Sequence, residues 1–181
     1  MKRSRSEHGS EIGPHLSSDR NSVTVRGEPA RVLLVVAPYY RDIAEQLRSG
    51  ATTAIKAAGC HWEEAEVPGA LEIPAAIRIA GSSDRFDGYV ALGCVIRGET
   101  THYRTVSDES ARGIALLNLQ GFCIGNGILT VETMDQARKR ADPSRGDKGG
   151  EAARASLALI DLMRRFGGMG GPIGFRTDPI G

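Results

Sequence analysis

Two short, uninterrupted apolar runs constrain this sequence more than any other feature. They are RVLLVVA at 31–37 and GYVALGCVI at 88–96. Apolar runs of this length without alternating polar residues are typical of strands that are buried on both faces. Parallel sheets contain such strands, because helices cover both of their faces. The sequence therefore predicts two buried strands of a parallel sheet.

The segments around these runs alternate between helix-like and strand-like patterns. Residues 41–58 place apolar side chains at helical spacing, and Gly59 is a stop signal at their end. Residues 62–67 alternate in polarity, which predicts a strand nearer an edge. Among the later segments, residues 68–80 are predicted as a short helix with Pro74 in its first turn, 106–119 as a helix and 122–131 as a strand. Residues 134–141 are predicted as a short helix, 141–150 as a loop and 152–166 as a last helix.

The resulting order, βαβαβαβαα, predicts a three-layer α/β/α fold of the flavodoxin-like kind. Its four-stranded parallel sheet would carry helices on both faces. In such sheets ligands bind beyond the carboxyl ends of the strands. A ligand is therefore expected near residues 38–40, 69–72 and 97–102, and near the residues that follow the fourth strand.

Composition narrows the function classes. The chain has 181 residues and a net charge of +1, so it has no broad basic field for a nucleic-acid partner. No apolar run approaches the length of a membrane span. Its cysteines, Cys60, Cys94 and Cys123, are odd in number and widely spaced, which is evidence against a disulfide framework or a zinc site. We expect no membrane, no metal and a location in the cytoplasm.

The two ends differ from the middle. Residues 1–28 are rich in Ser, Arg, Glu and His without periodicity, and we predict a mobile N-terminal tail. Residues 168–181 are rich in Gly and Pro and are predicted to be a flexible C-terminal tail. The folded domain is predicted to span 29–167.

The turn at 97–103 carries more polar groups than a strand-to-helix turn needs. Gly98 lets the backbone approach a ligand, and the start of the following helix suits an anion. Thr100 and Thr101 add hydroxyl donors, while His102 can move a proton near neutral pH. The alternative interpretation is a threonine cap and a surface histidine. The combination favours a functional turn.

Other candidates are less specific. Glu72 is predicted at a helix start, where it either stabilises the first turn or accepts hydrogen bonds from substrate hydroxyls. Tyr39 and Tyr40 follow the first strand, and one of them could stack on a planar heterocycle, although rim packing explains them as well. Arg140 fits either a phosphate clamp or a solvated basic residue beside Arg138 and Lys139.

Four motifs together resemble the lumazine synthase family over about residues 31–166. They are VPGALEIP, ALGCVIRGETTHY, GNGILTVETMDQARKRA and DKGGEAA. The resemblance implies condensation of 5-amino-6-(D-ribitylamino)uracil with 3,4-dihydroxy-2-butanone 4-phosphate, giving 6,7-dimethyl-8-ribityllumazine, phosphate and water in riboflavin biosynthesis. It implies that no cofactor is used. The substrate's own amine forms the imine, which removes the need for a catalytic lysine.

The resemblance also assigns residues. Tyr39 matches the aromatic residue that stacks on the pyrimidine, and Cys94, Val95 and Ile96 match the strand end at the pyrimidine edge. Ala70, Leu71 and Glu72 match the ribityl-binding segment. Glu99 and Thr100 match the phosphate loop, and His102 matches the proton-transfer histidine. Asn126 and Arg140 match two positions that a neighbouring subunit supplies, and Lys148 matches a nearby basic residue.

Three positions depart from the family pattern. Glu99 is acidic at the phosphate loop, so we expect its backbone amide to serve while its side chain turns away. Asn126 stands where an aromatic residue is common, and Tyr40 where relatives often have Asn.

The resemblance also implies an assembly. The family forms homopentamers with active sites between subunits, and in some members the pentamers assemble into shells. The loop at 142–150 is about one residue longer than in shell-forming relatives, which favours a free pentamer.

Two other functions are compatible with parts of the pattern. A non-catalytic paralogue that carries lumazine or flavin, or acts as a regulator, would explain Glu99 and Asn126. A flavodoxin-like signalling domain would need an acidic cluster after the first strand. That place holds Pro38, Tyr39 and Tyr40, which is evidence against the signalling domain.

Overall fold

The two apolar runs lie side by side at the centre of a parallel sheet in the computed structural model, which describes residues 23–167. The strands are β1 (Arg31–Val36), β2 (His61–Glu66), β3 (Gly88–Ile96) and β4 (Ile124–Val131). Their order across the four-stranded sheet is β2-β1-β3-β4, and every pair is parallel. The predicted sheet is therefore confirmed.

Helices cover both faces of the sheet. They are α1 (Arg41–Ala57), α2 (Ile73–Ala80), α3 (His102–Leu119), α4 (Met134–Ala141) and α5 (Lys148–Phe166). Alternate residues of β1 point to opposite faces. Val32, Leu34 and Val36 join the core beneath α1, α4 and α5. Leu33 and Val35 join the core beneath α2 and α3, so the three-layer α/β/α class is confirmed.

Two helices begin earlier than their apolar spacing predicts. The sequence predicts α3 from residue 106 and α5 from residue 152, but they begin at His102 and Lys148. Their first turns are mostly polar or glycine, so hydrophobic periodicity does not mark them. At α5 the start is set by Asp147, whose carboxylate accepts a hydrogen bond from the Gly150 amide at 3.1 Å. Lys148, predicted in a loop, is therefore helical.

Glycines in two of the family motifs allow close packing of α5. A side-chain carbon at Gly125 of β4 would overlap the carbonyl oxygen of Ala152 on α5. One at Gly149 of α5 would overlap the carbonyl oxygen of Leu47 on α1. Both glycines are buried. These motif residues therefore bring backbones into contact and do not line a ligand site.

Residues 23–28 lie against the end of α5. The Arg26 amide donates to the Asp161 carboxylate at 3.1 Å, and the Arg164 guanidinium donates to the carbonyl oxygens of Arg26 and Glu28 at 2.7 and 2.6 Å. The predicted division at 28/29 and 167/168 stays a prediction, and most of both predicted tails, 1–22 and 168–181, lies outside the described residues. Between residues 23 and 167, no helix combines the length and apolar character that a bilayer crossing requires.

Candidate active site

A crevice opens where β3 continues past the end of β1. The Ala37 amide donates to the Leu92 carbonyl at 2.9 Å, and beyond that point β3 pairs only with β4, up to Ile96 opposite Val131. The chain leaves β1 towards α1 on one face and leaves β3 towards α3 on the other. Such a switch point is where ligands bind in open parallel sheets.

A cavity of about 470 Å³ occupies this crevice. Nine predicted site residues line it: Tyr39, Ala70, Leu71, Glu72, Cys94, Val95, Ile96, Thr100 and His102. They come from the segments after β1 and β2, from the end of β3 and from the β3–α3 connection. The cavity has the size of a small-molecule site, and its lining is mostly apolar with a few polar groups.

Four predicted residues do not line this cavity. Glu99 is exposed, although its neighbours Gly98 and Thr100 line the cavity. Asn126 lies on β4 opposite Ala91, roughly 16 Å before the strand's end. Its side-chain oxygen accepts a hydrogen bond from the Ile128 amide at 3.0 Å.

The two basic candidates also lie away from the cavity of their own chain. Arg140 is exposed near the end of α4, and within residues 23–167 its guanidinium makes no hydrogen bond or ion pair. Lys148 begins α5 and forms an ion pair with Glu151. The cavity wall described here contains no Arg or Lys. Within residues 23–167, one chain therefore brings no Arg or Lys to the cavity for a phosphate.

The turn before α3 keeps its donors available. Thr101 occupies the N-cap position of α3 but makes no side-chain capping bond. Arg97 is directed to the turn after β4, since its guanidinium pairs with the Glu132 carboxylate at 3.1 Å. The Arg104 amide donates to the Thr101 carbonyl at 2.9 Å. The amides of His102 and Tyr103, the Thr100 hydroxyl and the His102 ring therefore remain for a ligand. The interpretation of these threonines as caps has no supporting hydrogen bond.

Glu72 is placed by the turn that follows β2. Residues Ala70–Glu72 form one 3-10 turn that runs into α2. The Glu72 carboxylate folds back over Gly69, where Oε2 would lie 3.0 Å from an added side-chain carbon. A glycine at 69 therefore leaves room for the carboxylate beside the cavity. In this position it can accept hydrogen bonds from ligand hydroxyls.

Tyr39 and Tyr40 form the aromatic side of the cavity. Their rings meet edge to face, with centroids 5.0 Å apart and planes at 76°. Tyr39 is 76 % exposed. Burial raises the pKa of the Tyr40 phenol, and the neighbouring Tyr39 and Cys94 add to the effect. Tyr40 is therefore a neutral phenol at physiological pH.

The Cys94 thiol is held in its neutral form. Burial is the main cause that raises its pKa to about 12, and the Asp42 carboxylate contributes. The thiolate is the reactive species of a cysteine. Cys94 is therefore unsuited to act as a nucleophile, although it lies at the centre of the site.

We expect Cys94 in the native protein to react with iodoacetamide about 10³-fold more slowly at pH 8 than it does in the unfolded chain. Between pH 8 and pH 10 its rate should rise about tenfold per pH unit, because the thiolate fraction keeps growing below a pKa of about 12. Peptide mass spectrometry of timed samples measures both rates. A native rate that levels off near pH 9 would contradict this assignment.

The sequence did not single out Pro68, Tyr103 and Val106, which also line the cavity. Tyr103 and Val106 stand at helical spacing on the first turns of α3. A helix start at residue 102 would have placed both beside His102. Because the sequence predicted α3 to start only at residue 106, the helical spacing of these two residues from His102 was not recognised.

The arrangement combines three chemical functions in one cavity. An exposed aromatic ring and the Cys94–Ile96 strand end offer a face and an edge to a planar heterocycle. Glu72 can accept hydrogen bonds from hydroxyls, and the turn at 98–102 can donate to an anion beside a histidine. Within residues 23–167, no cluster of His, Cys, Asp or Glu is arranged to hold a metal ion.

Comparison with known proteins shows which family the chain resembles. The sequence model of the 6,7-dimethyl-8-ribityllumazine synthase family matches residues 29–164. A protein of that name from Sphingopyxis alaskensis is 56 % identical over 138 residues, which cover 76 % of this chain and 98 % of the relative. The one from Jannaschia sp. is 52 % identical over 149 residues, covering 82 % and 84 %. The 6,7-dimethyl-8-ribityllumazine synthase 1 of Rhizobium meliloti is 49 % identical over 146 residues, covering 77 % and 95 %. The chain therefore belongs to the 6,7-dimethyl-8-ribityllumazine synthase family.

Proposed function

We propose that this chain is a catalytically active transferase of riboflavin biosynthesis. It condenses 5-amino-6-(D-ribitylamino)uracil with 3,4-dihydroxy-2-butanone 4-phosphate to give 6,7-dimethyl-8-ribityllumazine, phosphate and water. The observation that carries this proposal is one cavity that contains Tyr39, the Cys94–Ile96 strand end and the turn with His102. A heterocycle and a phosphate-bearing partner can therefore lie side by side in it.

The uracil would occupy the aromatic side of the cavity. Tyr39 stacks on its ring, and the Cys94–Ile96 backbone meets its edge. The ribityl chain runs along Ala70 and Leu71, with its hydroxyls donating to Glu72. These roles are supported by the exposed ring of Tyr39 and by the position of the Glu72 carboxylate over Gly69.

The butanone phosphate would occupy the turn before α3. Its phosphate accepts hydrogen bonds from the amides of Gly98, Glu99 and Thr100, while the Glu99 side chain turns to solvent. His102 would transfer protons as the substrate's amine attacks the ketone and as phosphate leaves. The exposed Glu99 and the uncapped start of α3 support this arrangement.

The test is to mix the purified protein with both substrates. We expect lumazine absorbance to rise together with release of one phosphate per lumazine formed. Omission of either substrate is the control for background. Binding of the uracil without lumazine formation would instead support the carrier or regulator, an alternative that no observation on this site favours.

We further propose that the site is completed by a neighbouring subunit in a homopentamer. The cavity wall from one described chain has no Arg or Lys, whereas Arg140 is exposed and unpaired within residues 23–167. Asn126 is likewise exposed on the edge strand β4. A second copy could bring both side chains to the cavity, and Lys148 would lie near the same phosphate.

The pentamer is proposed to be free and not part of a shell. The support is the length of the loop at 142–150, which the family resemblance places about one residue beyond that of shell-forming relatives. Asp142 closes this loop by accepting hydrogen bonds from the Ser144, Arg145 and Asp147 amides. Multi-angle light scattering should give five times the chain mass; a megadalton particle would contradict a free pentamer.

The location of the protein in the cytoplasm stays a prediction, which rests on the number and spacing of its cysteines.

Replacing Arg140 with alanine should raise the KM for the butanone phosphate about tenfold or more and change the KM for the uracil little. The reason is loss of the one proposed guanidinium contact to phosphate, a charge-assisted interaction. Steady-state kinetics with each substrate varied measures both constants. Arg85→Ala is the control, because Arg85 pairs with Glu63 outside the cavity. An unchanged KM for the phosphate substrate would refute the clamp.

A mixing experiment tests whether the site is shared. Chains with Arg140→Ala and chains with His102→Ala are unfolded together, refolded and compared with each variant refolded alone. If one chain supplies His102 and its neighbour supplies Arg140, about a quarter of the sites in a random mixture regain both residues. Activity that never exceeds the mean of the two variants would show that each site belongs to one chain.

A further inference from the structure

We propose that Tyr40 is a positioning residue, which holds the Tyr39 ring in the orientation that stacks on the substrate's heterocycle. This inference rests on the proposed function, because it assumes that a planar ring lies against Tyr39. The family resemblance gives Tyr40 no role. The structure does so through its contacts with Tyr39 and with the core.

The Tyr39 side chain has few contacts that could fix its orientation. The residue is 76 % exposed. Its one aromatic contact within residues 23–167 is with Tyr40, at 5.0 Å between centroids and 76° between planes. Edge-to-face packing of this kind is an attractive geometry for two aromatic rings. Without it, an exposed tyrosine samples several staggered side-chain rotamers.

Tyr40 is well anchored by comparison. Its side chain is partly buried and packs against the core beneath α1, α4 and α5. Its carbonyl accepts the first hydrogen bond of α1, from the Ala44 amide at 2.9 Å. The ring is therefore tied to the rigid part of the fold, and it can transmit that rigidity to Tyr39.

The helix position of Tyr40 is a second, independent observation. Tyr40 is the N-cap residue of α1, and it makes no side-chain capping bond. Ser, Thr, Asp and Asn are preferred at this position because their oxygens accept a hydrogen bond from a free helix amide. Local rules are broken most often at functional sites. A tyrosine here gives up the cap and supplies a ring beside the cavity.

Preorganisation of Tyr39 should act on binding of the uracil and not on the chemical steps. A ring that is already oriented loses less conformational freedom when the ligand binds. Tyr40→Leu, which keeps an apolar side chain but removes the aromatic edge, should raise both KM and Kd for the uracil roughly three- to tenfold. kcat should stay within about threefold.

The experiment compares Tyr40→Leu, Tyr40→Phe, Tyr39→Leu and the double variant Tyr39→Leu/Tyr40→Leu. Kd is measured by calorimetry with a ribitylamino-uracil that lacks the reactive amine, and KM and kcat with both substrates. Tyr40→Phe is expected to recover the wild-type Kd, since it keeps the ring edge. The double variant should bind no more weakly than Tyr39→Leu alone, because Tyr40 acts through Tyr39. Thermal melts and light scattering check that each variant folds and assembles; if Tyr40→Leu fails to fold, Tyr40→Met takes its place.

Three results would overturn the inference. If Tyr40→Phe binds as weakly as Tyr40→Leu, the hydroxyl itself contacts the substrate. Multiplicative losses in the double variant would mean that Tyr40 acts independently of Tyr39, and a loss confined to kcat would mean a role in the chemistry. The calorimetric comparison does not depend on turnover. A protein that binds the uracil analogue but forms no lumazine would therefore refute the proposed function alone.

Discussion

Replacement of His102 by alanine is expected to lower kcat by about 10²- to 10⁴-fold and to leave a measurable residual rate. His102 is the first residue of α3 and lines the cavity between the strand end and the turn at 98–100. His102 is the one histidine among the described residues that line the cavity, so its replacement removes the proposed proton transfer.

The residual rate is expected because the site also holds two reactants together. Orientation of this kind can supply about 7–11 kcal/mol in favourable cases. Single-turnover lumazine formation measures the remaining rate. His61→Ala is the matched control, because His61 is exposed on β2 and outside the cavity. A completely inactive His102→Ala protein with intact assembly would contradict a mechanism dominated by proximity, and an unchanged kcat would remove His102 from the chemistry.

Replacement of Gly149 by alanine should lower the free energy of unfolding by about 3 kcal/mol or more. A methyl group there would overlap the backbone carbonyl of Leu47, which cannot move aside as a flexible side chain can. The α1–α5 contact must separate or the helices must shift. Since Gly149 lies outside the cavity, the direct effect is on folding.

Thermal unfolding followed by circular dichroism measures this change, which corresponds to a fall in apparent Tm of roughly 6–12 °C for a chain of this size. Gly98→Ala is the control, because an added carbon at Gly98 would meet nothing within 4 Å. An unchanged Tm for Gly149→Ala would show that α1 and α5 adjust at little energetic expense. The DKGG motif would then need another explanation.

The candidate site was predictable where the chemistry is local in sequence. The turn at 97–103 combines Gly, Thr and His within a few residues, and the end of a buried strand marks its place in the fold. Glu72 and Tyr39 follow β2 and β1 in the same way. Because parallel strands end at one edge of a sheet, strand order along the chain was enough to predict that these segments meet.

Other features depend on contacts that sequence spacing does not encode. Arg97 is directed to Glu132 on the neighbouring turn and away from the cavity. Tyr103 and Val106 join the site because α3 begins one turn before its apolar periodicity. Gly125 and Gly149 belong to motifs that identify the family, yet they lie at backbone contacts of α5. Family motifs therefore combine packing residues with site residues.

The sequence by itself determined the fold class and the two central strands, and it predicted the edge of the sheet at which the cavity opens. Each follows from hydrophobic periodicity and chain order, which are local properties. Only the tertiary structure decided which motif residues share a cavity, and that Asn126, Arg140 and Lys148 lie away from it in their own chain. It also decided that the rings of Tyr39 and Tyr40 meet edge to face. These outcomes depend on how side chains from separate elements pack in three dimensions, and the spacing of residues along one chain does not specify that packing.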